Sequence, residues 1–200
     1  MVDARGLGRS AALGVALVGF CYLIVLGIGI GQAGLGDPIR DPVLVAMEVL
    51  TMLSAVLYVA LIAAVHATRP VERARCSRAA LVFAVIFAGL TCAVHVFALT
   101  AGRAADAAPF DWPSTSYAIE LLAWDGLLGV SLLFAAAAFC GPGLRRAARM
   151  SLGTTGVLCL LGGIGPLIGD MAIQRIGIVG YAIGLPVSSL ILARWFRREA

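Results

Sequence analysis

Residues 43–66, VLVAMEVLTMLSAVLYVALIAAVH, form a 24-residue apolar run with one acidic side chain, Glu48, inside it and His66 at its end. About 20 apolar residues suffice to cross the ~30 Å hydrocarbon core of a bilayer as an α-helix. The run therefore predicts a transmembrane helix that carries a carboxyl group within the membrane. On insertion scales a carboxylate near the bilayer centre costs ~2.5–3.5 kcal/mol. A side chain kept at that cost marks a place where something other than lipid meets the helix.

Five further runs read the same way, at 10–31, 78–101, 113–140, 149–168 and 172–194. The whole composition agrees: 61% of the 200 residues are hydrophobic, 13% are charged, and mean hydropathy is +0.99. Soluble domains are nearer half apolar and a quarter charged. The connections are short and leave no room for a soluble domain. The expectation is an all-α protein, a single six-transmembrane-helix bundle over 1–200.

Every basic residue is arginine. Arg5, Arg9, Arg69, Arg73, Arg75, Arg78, Arg145, Arg146, Arg149, Arg194, Arg197 and Arg198 fall on one side of the predicted spans, which is 12 of the 15. Only Arg40, Arg103 and Arg175 are left for the other. The positive-inside rule then puts both termini in the cytoplasm, as expected for a bacterial inner-membrane protein. The pI near 9.0 follows from this bias. Membrane lipids, anionic ones included, are the expected partners of these arginines. A nucleic-acid partner is not expected, because no basic stripe lies on a soluble fold.

The run from Ala11 to Ile30 exceeds the usual apolar core of a signal peptide and is read as the first span. The cysteines, Cys21, Cys76, Cys92, Cys140 and Cys159, lie in spans or on the arginine-rich side, with no C-x-x-C among them. Disulfide and thiol-redox roles are not expected.

Asp41-Pro42 and Asp111-Trp112-Pro113 read as helix starts, an aspartate N-cap followed by proline in the first turn. Phe110 and Trp112 suit the headgroup level. Gly141-Pro142-Gly143 should end the fourth span. The pairs Gly27/Gly31 and Gly180/Gly184 have the four-residue spacing of closely approaching helices. Gly162-Gly163 and Gly165-Pro166 should break the fifth span just before Asp170. Gly29-Ile30-Gly31-Gln32-Ala33-Gly34 matches a dinucleotide-binding string, but it closes an apolar helix instead of joining a strand to one. It is read as a helix exit.

The ionisable groups within or beside the spans are Glu48, His95, Glu120, Asp125 and Asp170. At ~1.5 Å of rise per residue, Glu48 and His95 each fall about 10 Å in from the same membrane face. Glu120 falls at about 13 Å and Asp125 at about 21 Å. Glu48, His95 and Glu120, from three helices, are thus expected to line one pocket. Thr51 and Tyr58 share the Glu48 face; Thr91 lies one turn from His95; Tyr117, Trp124 and Ser131 share the Glu120 face. Asp125 sits about 140° around the helix from Glu120, so both reach one pocket only if that is wide, and otherwise one of the two meets a neighbouring helix; Glu120 is favoured for the pocket because its face carries the other polar and aromatic groups. The catalytic candidates are Glu48, Glu120, Asp125 and His95. Tyr58, Thr51, Thr91, Tyr117, Trp124, Phe97, Asp170 and Arg175 are the candidate substrate contacts.

A competing view makes these acids interhelical glue, worth about 0.6 kcal/mol each. Clustering at one level beside a histidine favours a site. No cofactor is expected: the two histidines, His66 and His95, differ in depth by over ~20 Å and cannot share a haem. A His95/Glu48/Glu120 metal site is compatible with the residue types, but no spacing demands it.

Carboxyl groups out of water can hold a proton at neutral pH and deliver it as general acids. Aromatic rings beside them stabilise positive charge. In size, in Glu48 and in the Tyr117–Trp124 stretch with Glu120 and Asp125, the chain resembles the small integral-membrane terpene cyclases. That resemblance implies proton-initiated cyclisation or isomerisation of a hydrophobic, isoprenoid-like small molecule by intramembrane acids. The alternative is an oligomeric proton-coupled transporter or channel, in which acid–histidine chains relay protons. The acids crowd one half of the membrane, which suits a dead-end pocket better than a crossing path. A non-catalytic accessory protein is the third alternative.

Overall fold

The computed structural model describes residues 3–34, 39–102 and 113–198, and among them there is no β-strand. Six helices are long and apolar enough to cross a membrane: α1 (Ala4–Ala33), α2 (Val43–Thr68), α3 (Val71–Gly102), α4 (Thr115–Ala137), α5 (Leu144–Ile168) and α6 (Met171–Arg198). The chain is an all-helical, membrane-spanning bundle.

Most helices extend past their apolar runs at the arginine-rich ends. α1 starts at Ala4, α3 at Val71 and α5 at Leu144, and α6 continues to Arg198. Arginine is a good helix former, and once a helix has nucleated it continues into the interface at little cost. Hydropathy marks where a helix meets lipid, not where it stops. α1 is capped by Asp3, whose carboxylate accepts from the Arg5 backbone N–H at 3.1 Å.

Two expected caps need revision. At α2 the capping position is Pro42, in helical conformation and with no side-chain cap bond, so Asp41 is not the N-cap. The helix begins instead through backbone bonds, Leu44 N–H to Arg40 O and Ala46 N–H to Pro42 O. α4 starts one turn later than expected, where the Ser114 hydroxyl accepts from Tyr117 N–H at 3.2 Å. Asp111, Phe110, Trp112 and Arg103 lie outside the described residues.

Each helix packs on its neighbours in sequence, and α6 closes back onto α1, giving a ring of six around one core. Tyr58, Phe87, Leu128, Leu132, Leu152 and Leu192 fill its centre and are essentially inaccessible. Leu17, Ile24, Val56 and Leu167 point outward, with Leu167 85% exposed. Such a surface is stable only in lipid. Within the core, the Tyr58 hydroxyl bonds to Ser131 Oγ at 2.9 Å, and Ser131 Oγ lies 2.8 Å from the Ala80 carbonyl. These contacts tie α2, α4 and α3 together at mid-depth. In that low-dielectric setting every hydroxyl needs a partner.

The glycines divide into two kinds. Gly27 and Gly31 face open space, so their spacing does not mark a helix contact. Gly180 and Gly184 do: a Cβ on either would meet α5 at Cys159 or Thr155. The α5 break is also present. Its first stretch ends at Gly162, a short helical turn follows over Ile164–Ile168, and Gly169 adopts φ +76° before α6. α1 remains helical through Ala33 and Gly34 ends it, so the G-x-G-x-x-G string is a helix exit.

Candidate active site

A cavity of about 250 Å³ opens between α1, α2, α4 and α6, in the half of the bundle away from the termini. Its walls are mostly aliphatic, from residues such as Val15, Val18, Met47, Leu121 and Leu185. Into it come Glu48 and Thr51 from α2, His95 from α3, and Tyr117, Glu120 and Trp124 from α4. These six expected residues share one cavity because their helices are neighbours in the ring.

His95 and Glu120 are in direct contact. His95 Nε2 lies 3.0 Å from Glu120 Oε1, and the two side chains are only 7% and 14% exposed. One proton between these atoms completes a bond whichever side carries it: imidazole N–H donates to carboxylate, or carboxylic acid O–H donates to imidazole. The other carboxyl oxygen, Oε2 of Glu120, is buried with no hydrogen-bond partner among the described residues. Glu48, which also lines the cavity, is 3% exposed. Thr51 turns its hydroxyl back to Met47 O at 2.8 Å, so it shapes the wall more than it offers a free donor.

The other expected residues are placed elsewhere. Asp125 is 1% exposed but faces α5 and α6, not the cavity: Gln174 Nε2 donates to its Oδ2 at 3.3 Å, and Gly162 and Gly177 crowd its carboxyl group. This is the neighbouring-helix arrangement that its angular offset from Glu120 allowed. Tyr58 lies deeper, bonded to Ser131. Thr91 is fully buried outside the cavity wall. Phe97 is 45% exposed on the bundle exterior. Asp170 caps α6, accepting from Ala172 N–H at 2.9 Å, and Arg175 is exposed. The structure does not bring these six to the cavity: Tyr58 and Thr91 pack into the core, Asp125 onto α5 and α6, Asp170 caps a helix start, and Phe97 and Arg175 are exposed.

Three cavity residues had no sequence signal strong enough to single them out: Tyr22 of α1, Ser54 of α2 and Tyr181 of α6. Gln174 also emerges only from the structure, because its Nε2 donates both to Asp125 and to the Tyr181 hydroxyl, each at 3.3 Å. Trp124 and Asp125 sit in a π-helical turn, Leu122–Leu127, and Tyr181 in another, Val179–Gly184. Such turns, with their i→i+5 bonds, insert a residue and re-aim side chains, and they recur at functional sites. Here they bring the Trp124 and Tyr181 rings to 5.1 Å, while Phe87 meets the other side of Trp124 edge-on at 4.9 Å. The cavity thus has an acid–histidine pair, a second carboxyl group and the packed rings of Trp124 and Tyr181 in its lining.

Among the described residues, no group of three or more His, Cys, Asp or Glu could hold a metal ion. The five cysteines are free thiols. His66 is far from the cavity, with Nδ1 2.9 Å from Ser77 Oγ. No family model matches the chain, and no curated protein or solved structure matches it either.

Proposed function

We propose that the protein is a membrane enzyme that transfers a proton to a hydrophobic, isoprenoid-like substrate and takes one back, isomerising or cyclising it. The observation that carries this reading is the His95–Glu120 pair at 3.0 Å on the wall of an apolar cavity that also receives Glu48. An intramembrane cluster of this kind marks a site by default, and apolar walls with a few convergent polar groups are what a small-molecule site needs. At about 250 Å³ the cavity is close to the lower end of the ~300–1,000 Å³ range of such sites. It suits the reacting portion of a substrate whose remainder lies along the helices.

The chemistry follows from these groups. A carboxylic acid, Glu120 or Glu48, gives its proton to one carbon of a substrate double bond, and the neighbouring carbon becomes cationic. The rings of Tyr22, Tyr117, Trp124 and Tyr181 line the cavity, and aromatic rings stabilise such a charge by up to ~2 kcal/mol when desolvated. The cation rearranges or closes a ring, then loses a proton from an adjacent carbon to the carboxylate or to His95. Atoms and charge balance; where donor and acceptor differ, a proton passes from the acceptor back to the donor before the next turnover, as it can directly between His95 Nε2 and Glu120 Oε1 at 3.0 Å. Asp125 acts as a positioning residue in this scheme: through Gln174 it fixes Tyr181. The arginine asymmetry supports an orientation with both termini cytoplasmic and the cavity in the outer half.

The test is what the cavity holds. Lipid extracted from the purified protein should contain an apolar isoprenoid-type molecule. Ser54→Phe, which places a ring in the cavity, should lose it while the protein stays folded. Equal retention of the molecule by Ser54→Phe would remove the cavity from consideration as its binding site.

A further inference from the structure

At the opposite end of the bundle lies a second cavity, of about 400 Å³. It forms where the start of α1, the α2–α3 turn, the α4–α5 turn and the end of α6 converge. Its chemistry is the reverse of the first. Arg5, Arg69, Arg73 and Arg145 line it, against a single carboxylate, Glu72. Arg69 and Arg73 are half-buried, whereas Arg5 and Arg145 are more exposed.

Four guanidinium groups gathered from three separate chain segments, against the one carboxylate of Glu72, give the cavity wall an excess of positive charge that favours an anion there. Two donors at this cavity have no acceptor among the described residues. Arg69 spends one terminal nitrogen on the His66 carbonyl, but its Nε is buried with no acceptor among the described residues. Trp195 lines the cavity at 5% exposure, wedged against Phe139 and Phe196, and its indole N–H is likewise buried without an acceptor. Buried donors are normally satisfied, and the described residues supply no acceptor for either of these two. A planar guanidinium matches the oxygens of a phosphate bidentately, and an indole N–H adds a neutral donor.

We infer that the cavity formed by Arg5, Arg69, Arg73, Arg145 and Trp195 binds a phosphate group, carried by an anionic lipid headgroup or by a soluble phosphate compound. The remaining arginines of this face, such as Arg146 and Arg197, are exposed and do not line the cavity. They separate a built site from diffuse attraction of a basic surface to anionic membranes.

The experiment uses the full-length protein in neutral detergent and measures binding by thermal shift and native mass spectrometry. The probes are inorganic phosphate, pyrophosphate, and mixed micelles containing phosphatidylglycerol or phosphatidylcholine, all at matched ionic strength. The double variant Arg73→Gln/Arg145→Gln should weaken binding of the effective probe by about tenfold or more, the usual worth of losing a charge-assisted bond. Arg146→Gln/Arg197→Gln should leave it unchanged. Response to phosphatidylglycerol but not to inorganic phosphate or pyrophosphate assigns the group to a lipid; the reverse assigns it to a soluble ligand. Absence of response to every phosphate probe, or equal weakening by the two double variants, would overturn the proposal.

Discussion

Glu120→Gln is expected to lower turnover of the hydrophobic substrate by about 10²-fold or more, the usual contribution of a general acid, while the variant still folds and binds substrate. The substitution keeps the size of the side chain and can keep a hydrogen bond to His95 Nε2, now 3.0 Å from Glu120 Oε1. What it removes is the transferable proton. Glu48→Gln should produce a loss of the same order if Glu48 donates the first proton. If Glu48 only receives the last one, its loss should be smaller and appear as altered products. The checks are product formation per folded protein and retention of bound substrate. Full turnover in both variants would exclude acid catalysis by either residue. Loss of folded protein in both would instead assign them to helix packing.

The second large effect concerns the seam that positions Asp125 and Tyr181. Gly162→Ala would set a Cβ 2.5 Å from the Cα and backbone N of Gly177, and 3.0 Å from Asp125 Oδ1. A neighbouring backbone cannot rotate away as a side chain can, so α5 and α6 must separate. Overpacking of this kind costs about 1–3 kcal/mol. Gly162→Ala should therefore lower the thermal unfolding midpoint clearly and disturb the Gln174 bonds to Asp125 and Tyr181. Gly27→Ala is the control. Nothing lies within 4 Å of its added Cβ, and alanine is the better helix former. It should be neutral or slightly stabilising. Equal midpoints for the two variants in the same detergent would show that the α5–α6 contact is looser than the structure has it.

Much of this architecture is legible in the sequence because a bilayer is a demanding solvent. Every backbone group must be satisfied within the helix, so a long apolar run has few other outcomes. The same solvent makes Glu48, His95 and Glu120 conspicuous, and counting residues along straight helices brings them to one level. Counting fails where helices depart from regularity. The π-turns at Leu122–Leu127 and Val179–Gly184 decide that Trp124 and Tyr181 meet, and no local residue pattern announces them. Asp170 sits beside a helix start, and its side chain satisfies a backbone N–H there. Tyr58 has the right face but the wrong depth, and Phe97 the right depth but the wrong face. Gln174 gains its meaning from Asp125, 49 positions away in sequence, and only the folded ring brings them together.

Proton transfer between the cavity acids and a carbon of the substrate is the central claim, and solvent deuterium reads it directly. The purified protein, equilibrated in D₂O, is given the isoprenoid-type molecule that co-purifies with it, or its acyclic alcohol if that molecule is the product. The product is then analysed by mass spectrometry. In its first turnover wild-type protein should place one deuterium at carbon in each product molecule. Glu120→Gln should form labelled product at about a hundredth of that rate or less. First-turnover product that forms at the wild-type rate in D₂O with no deuterium at carbon would contradict proton transfer from these acids.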